Sequence, residues 1–411
     1  MTPRKSRYPL MLIINRIGWV LCRALCRCVP GLGRAFNFPL HEAFVGAYAN
    51  AALEDGEQQI ALTAHDLDTV RSILQSAMPN DTGDTSTYPY GYSKARSLLL
   101  KIEHCIVLGN SMKVLEASGA CILGLTQGQS NQSTITPSIL RSRNAPEGSF
   151  YTLSCDDDLF QFLANDVLPL LYFLDRHEAE IGALHIVARS KSPPFVWQTL
   201  EAISAKYEMV KVLPLSNNER LVDVTALWSS RASDARDWTP TTREEAGVLL
   251  QLLSAHYHLP EVTTPTRLLF VSRGDASLRR LKNEAELVAD LLDLEFEFFV
   301  PKSNDHKSQI EAFRSARIVV AVHGSSLINL LFCQPGTLII ELFPANKTKS
   351  AYCWLALKLG LRYRAVVGFS GDEDLAFSVK VPLVIAEIEA ELGVHDRSNV
   401  SENPSAGVVH P

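Results

Sequence analysis

RIVVAVHGSSLINLLFCQPGTLIIELFP, residues 317–344, sets two apolar strand-like runs, RIVVAV and TLIIEL, on either side of a segment that is itself almost wholly apolar. The stretch nevertheless carries His323, Gly324, Ser325, Ser326, Asn329 and Glu341. Burying an unpaired polar group costs about 1–3 kcal/mol. The partners of these side chains therefore decide whether the stretch is plain core or one wall of a site.

The same alternation repeats on either side of this stretch. Strand RLLFVSR (267–273) precedes a helical stripe over 278–292. Strand FEFFV (296–300) and helix SQIEAFRSA (308–316) lead into RIVVAV, helix SSLINLLF, strand TLIIELF, helix AYCWLALKLG and strand RYRAVVG. Upstream, short strands are expected at HCIVLG, ACILGL and SFYTLS. A long apolar helix follows in DLFQFLANDVLPLLYFLDRH, then strand ALHIVARS, helix FVWQTLEAISA and strand EMVKVLP. Strands alternating with helices are the mark of βαβ units and parallel sheets. Residues 76–97 read as a polar, turn-rich loop, 229–242 as an interdomain connection, and 243–258 as a helix. The expected fold class is α/β, with two doubly wound, Rossmann-type parallel-sheet domains facing across a cleft. The expected boundaries are an N-terminal segment 1–36, a first domain 37–240, a second domain 241–394 and a loose tail 395–411.

Composition agrees with a globular chain: 411 residues, 46% hydrophobic and 20% charged. The net charge of −6 hides an asymmetry, because the first 41 residues carry seven Lys or Arg and no acid, leaving the remainder at −13. An acidic body argues against nucleic acid as a partner, since phosphate contacts need basic density. The basic residues Arg16, Arg23 and Arg27 recur at helical spacing within an apolar run. Residues 8–29 are thus expected to lie on a membrane surface rather than span it, with packing on the body as the alternative. The eight cysteines are mostly isolated in apolar runs, and CxxxCxC at Cys22, Cys26 and Cys28 lacks a second ligand pair. A reducing, cytoplasmic setting with peripheral membrane association is expected, with a type II anchor in a Golgi or ER lumen as the alternative.

In open α/β sheets, ligands bind outside the carboxyl ends of strands, near helix N-termini. Three such ends are polar here. Arg273 closes the first strand of the second domain, and Arg279, Arg280 and Lys282 fall in the first turn of the expected helix 278–292. Cations there oppose the helix dipole by about 0.3–1 kcal/mol each, so either Asp275 and Glu284 neutralise them or an anion binds there. His323 and Gly324 close RIVVAV, with Ser325 and Ser326 expected to cap the next helix. Glu341 closes TLIIEL, where a carboxylate can accept from ribose hydroxyls, although a lone strand-end acid is commonplace. Asn329 is expected to brace a loop.

As an ordered set, SR(x5)RRLKNEAEL, Gln309 with Phe313, HGSSLINLLF and Glu341 resemble the catalytic domain of glycosyltransferase family 61. The matching residues are Ser272, Arg273, Arg279, Arg280, Asn283, Glu284, Glu286, Gln309, Phe313, His323, Gly324, Leu327, Asn329, Phe332 and Glu341. The resemblance implies a GT-B fold, a nucleotide-sugar donor, UDP-linked, and inversion at the anomeric carbon. It implies donor binding by Arg273, Arg279, Arg280, Asn283, His323, Gly324, Ser325, Ser326 and Glu341. The first domain would then hold the acceptor, a glycan, polysaccharide or glycolipid hydroxyl. The family's aromatic–aromatic–His motif before an acid and Leu-Pro is matched at Asp166, Val167, Leu168 and Pro169, but Phe162 stands where the histidine would. Asp166 is the candidate base, and His323 the candidate to stabilise the leaving diphosphate. No DxD triplet sits at a strand end, so no metal is expected to be required. The rival expectations are a degraded, donor-binding scaffold, motivated by Phe162, and a nucleotide-sugar epimerase.

Overall fold

The computed structural model describes residues 42–44, 52–61, 92–116, 121–123, 140–153, 158–233, 241–274, 276–302 and 305–393. The expected surface helix 8–29, the tail 395–411 and Asp275 lie outside them. The chain divides into two compact units. The first runs to Glu261 and regains Lys302–Ser308, and the second takes Val262–Pro301 and the chain from Gln309.

The strands of the first unit are β1 (Glu42–Phe44), β2 (Ala52–Ala61), β3 (Tyr92–Leu108), β4 (Val114–Glu116), β5 (Cys121–Leu123), β6 (Arg141–Asn144), β7 (Ser149–Thr152), β8 (Leu184–Arg189), β9 (Val210–Leu215) and β10 (Glu219–Ser233). Among the described residues their order is β1-β5-β4-β3-β10-β7-β8-β9, with β2 on β3 and β6 on β10. β10, β7, β8 and β9 are parallel neighbours and form the Rossmann-type half, while β3 pairs antiparallel to β10. Two sequence expectations change here. Residues 92–97 belong to β3 rather than to a loop, and residues 229–233 end β10 rather than opening a connection. The whole of β10 escapes the sequence pattern for a local reason. Asp223 and His104, opposite each other, both adopt positive φ (60° and 56°), and the register shifts on either side of Val224. A bulge of this kind breaks the period-two alternation by which strands are read.

Helices α1 (Leu168–Arg176) and α2 (Pro194–Lys206) pack on this sheet, and α3 (Arg243–Tyr257) packs on them. α3 was expected to open the second domain at 241. It instead buries Ala246, Leu249, Leu252 and Leu253 and packs on α1 and α2, which extends the first unit to Glu261. Its start is set by a reciprocal capping box between Thr242 and Glu245.

The second unit is the simpler one. β11 (Arg267–Val271), β12 (Glu297–Phe299), β13 (Ala316–Val322), β14 (Leu338–Phe343) and β15 (Arg362–Val367) form an all-parallel sheet in the order β12-β11-β13-β14-β15. Helices α4 (Glu284–Asp293), α5 (His306–Arg314), α6 (Ala351–Lys358) and α7 (Val381–Leu392) complete it, the first residues of α5 counting with the first unit. Ile318, Val320, Val322, Ile340, Leu342 and Val366 share one face with Leu287 and Leu291 of α4 and Val384 and Ile388 of α7. Because side chains alternate along a strand, His323, Glu341 and Tyr363 all fall on the opposite face. The chain is thus an α/β protein with two largely parallel sheets, as expected for two Rossmann-type domains of GT-B kind.

Candidate active site

In a sheet ordered 2-1-3-4-5, as the second unit is, the winding reverses between the first and third strands. The crevice outside their carboxyl ends is where ligands bind in such folds. Here those strands are β11 and β13, whose ends lead into Ser272–Arg273 and His323–Gly324.

Arg273 and Gly324 meet closely. A Cβ added at Gly324 would lie 1.7 Å from Arg273 Nη1 and 2.7 Å from its Cζ, so the guanidinium rests on the glycine backbone. Gly324 is extended (φ −179°), so glycine is required there for space rather than for backbone freedom. Beside them, Ser272 Oγ donates to Glu284 Oε1 at 2.8 Å and accepts from Gly274 N at 2.9 Å, which fixes the turn leaving β11.

The expected helix at 278 does not begin there. Residues 279–283 instead run against the chain at 374–379. Arg279 N donates to Asp374 O (2.9 Å), Phe377 N to Arg280 O (3.0 Å) and Lys282 N to Phe377 O (2.6 Å). α4 begins at Glu284, with Glu284 and Glu286 in its first turn. The cations therefore precede the helix, and its first turn carries the charges that the dipole favours. Arg279 takes a left-handed backbone (φ 58°), and Arg280 is exposed. Arg279 Nε and Glu284 Oε2 are buried and have no hydrogen-bond partner among the described residues. Asn283, expected at the donor, is committed to the scaffold. Its Nδ2 donates to Val379 O (2.9 Å) and Glu286 Oε2 (3.1 Å), and its Oδ1 accepts from Val379 N (3.1 Å).

The polar residues of the apolar stretch 317–344 find their partners at β13, β14 and β15. His323 Nδ1 lies 2.5 Å from Glu341 Oε1, and Tyr363 Oη donates to Glu341 Oε2 at 2.5 Å. His323 stacks on Phe343 (centroids 4.9 Å apart) and meets Tyr352 edge-on at 5.6 Å. Glu341 is 0% exposed and sits inside β14, not at its end, with both oxygens engaged by its own chain. This corrects the expectation that it meets ribose hydroxyls. Ser325 and Ser326 are half-buried and open a 3-10 segment, Ser325–Phe332, with no side-chain cap. Leu327 N instead turns back onto Gly324 O at 3.0 Å. Asn329 braces the scaffold as expected, donating to Gln309 Oε1 (2.9 Å) and Ser326 O (2.8 Å).

In the first unit, Asp166 and Phe162 lie on a π-helical segment, Phe162–Val167, that continues into α1. Phe162 is 0% exposed and packs against Phe195 with centroids 5.7 Å apart. Asp166 is 2% exposed, and its backbone carbonyl accepts from Tyr151 Oη at 3.0 Å. So little exposed surface leaves the Asp166 carboxyl almost nothing to offer an acceptor hydroxyl, at odds with the role of base expected for it. Asp158, the last of three consecutive aspartates at 156–158, accepts from Gln161 N at 3.0 Å and so caps a short helical turn, Leu159–Gln161. Among the described residues no three His, Cys, Asp or Glu side chains come together as metal ligands, and no helix is long and apolar enough to cross a membrane.

Of the residues expected at the site, Arg273, His323 and Gly324 come together, while Tyr363 and the tie between Ser272 and Glu284 had no place among those expectations. A signal existed for the tyrosine. In RYRAVVG it shares strand parity with the inward face, and an aromatic hydroxyl buried in a sheet needs a partner.

Residues 163–340 match the family model for Glycosyltransferase 61, a span that takes in Asp166, Arg273, Arg279, His323 and Gly324 and ends one residue before Glu341. No curated protein matches the chain. Residues 163–340 form a glycosyltransferase family 61 domain, and the protein is a glycosyltransferase.

Proposed function

We propose that the enzyme is an inverting, metal-independent glycosyltransferase that moves a sugar from a UDP-linked donor to a hydroxyl of a glycan, polysaccharide or glycolipid. The observation that carries this reading is the Arg273 guanidinium lying on Gly324 beside His323, at the switch point of the second sheet. Transfer from a nucleotide sugar leaves a diphosphate whose negative charge grows as the glycosidic bond breaks. Fixed donors aimed at that charge lower the barrier. Arg273 offers a planar fork suited to phosphate oxygens, Arg279 a second cation, and the backbone after Gly324 further N–H groups. Arg279 Nε and Glu284 Oε2 are further polar atoms that donor phosphate and hydroxyl groups would satisfy. The basic run at 8–29 supports a place on the cytoplasmic face of a membrane, where glycolipid or polysaccharide acceptors are presented.

The test is incubation of the purified chain with a panel of radiolabelled nucleotide sugars, with and without acceptors, in EDTA. Product that forms only with acceptor, and whose anomeric configuration by NMR is opposite to the donor's, supports the proposal. Conversion of free nucleotide sugar would indicate an epimerase, and binding without turnover a scaffold.

A further inference from the structure

We infer that Tyr363 and Glu341 are positioning residues that hold the proton of His323 on Nδ1 and turn Nε2 to the donor's phosphates. This rests on the donor-site reading above. Three neighbouring strands supply the chain of contacts. Tyr363 Oη on β15 donates to Glu341 Oε2 on β14, and Glu341 Oε1 faces His323 Nδ1 at the end of β13. Tyr363 is not directly across from Glu341. It pairs with Ile339, while Glu341 pairs with Ala365, so the contact is a diagonal one. A diagonal neighbour on a sheet is reached only by a long side chain, and tyrosine places a donor at the end of one.

With Glu341 as a carboxylate, the chemistry allows one arrangement. A carboxylate has no hydrogen to give, so the imidazole nitrogen facing Glu341 Oε1 must carry the proton. That fixes the tautomer of neutral His323, so a second proton can enter only at Nε2, and it is the imidazolium Nε2–H, its charge balanced by Glu341, that donates to a phosphate oxygen of the donor. Glu341 cannot turn away, because its other oxygen is held by Tyr363. Phe343 and Tyr352 fix the plane of the ring. Nε2 is left with no hydrogen-bond partner among the described residues, one residue before the glycine on which Arg273 rests. All three polar side chains are almost fully buried, His323 at 5%, Glu341 at 0% and Tyr363 at 1% exposed. A buried polar chain of this sort, closed at one end and open at the other, is the usual way an imidazole is oriented for work at its free nitrogen.

The test is a double-mutant cycle read by UDP affinity, with Tyr363→Phe, His323→Gln and the pair measured by calorimetry. Tyr363→Phe is expected to weaken UDP binding about fivefold in the wild-type background and to add nothing once His323 is Gln, because a residue acting through another shows no effect in its absence. Equal weakening in both backgrounds, or none in either, overturns the relay. If His323→Gln itself leaves UDP affinity unchanged, the donor-site reading falls and takes the relay with it. That outcome is separate from a relay failure, in which His323→Gln weakens binding and Tyr363→Phe does not depend on it. A second measurement needs no variant of Tyr363. In full-length protein labelled with 15N-histidine, the His323 ring must show a protonated Nδ1. A ring carrying its only proton on Nε2 overturns the relay.

Discussion

Gly324 is the residue at which the site is most exposed to a single substitution. Its extended φ is one that any residue adopts, so Gly324→Ala costs little backbone energy, yet the added methyl claims the space of the Arg273 guanidinium. The arginine is a flexible side chain and moves aside. The expected outcome is a melting temperature within about 2 °C of wild type, a shift worth about 1 kcal/mol or less. UDP affinity should fall about tenfold, seen by calorimetry. Asp166 gives the opposite expectation. A general base contributes about 10²–10⁴-fold to a rate. Buried at 2% exposure, Asp166 is in no position to do so, and Asp166→Asn should keep kcat within about tenfold of wild type in a steady-state assay. At this scale the sequence showed which residues are polar where they should not be, but not which partner each one takes. Glu341 reads the same whether it meets a ribose or a histidine, since the choice depends on a tyrosine 22 positions later and on strand pairing.

Among the elements, the segment before α4 depends most on a single residue. Asn283 ties the start of α4 to the backbone of Val379 through a donor and an acceptor, and so holds Arg279 and Arg280 on their loop. Removing a half-buried amide that satisfies two backbone groups costs about 1 kcal/mol. Asn283→Ala should therefore lower the urea midpoint by a corresponding amount, and Asn283→Asp, which keeps the acceptor, by less. The stripe Leu281, Ala285, Val288 and Leu292 makes residues 278–292 read as one helix, but Leu281 bridges to Phe377 instead, and the helix that begins at Glu284 buries Leu287 and Leu291 and leaves Leu292 exposed. Apolar spacing cannot tell these apart, because the partner strand lies almost a hundred residues away. The parallel strands of the second unit were legible for the contrary reason. Each is a short continuous apolar run bounded by turn residues, and its burial depends little on which neighbour it pairs with. β10 was not legible, because its bulge at Asp223 interrupts the pattern.

For the molecule as a whole, the division of the chain was visible in outline and its boundary was not, since α3 is amphipathic wherever it docks. One consequence of the observed division is a pH dependence. His306, in the segment Lys302–Ser308 that returns to the first unit, is 0% exposed, with Tyr257 Oη 3.4 Å from its Nδ1 and Phe195 edge-on to its ring. Burial pushes it down from 6.5 to about 4. Between those values the unfolded chain binds a proton that the folded chain does not. This contribution to stability is therefore complete above pH 6.5 and is lost as the pH falls towards 4, amounting to about 3 kcal/mol. Urea melts from pH 7 to 4.5 should show that decline in the wild type and a flatter profile in His306→Asn. In the proposed function the switch point of the second sheet receives a nucleoside diphosphate on Arg273. The most direct test of this is a calorimetric titration of UDP into wild type and Arg273→Ala in EDTA. Saturable binding to the wild type without metal, and at least about tenfold weaker binding to the variant, is expected. Equal affinity in the two proteins, or no binding to the wild type, would contradict it.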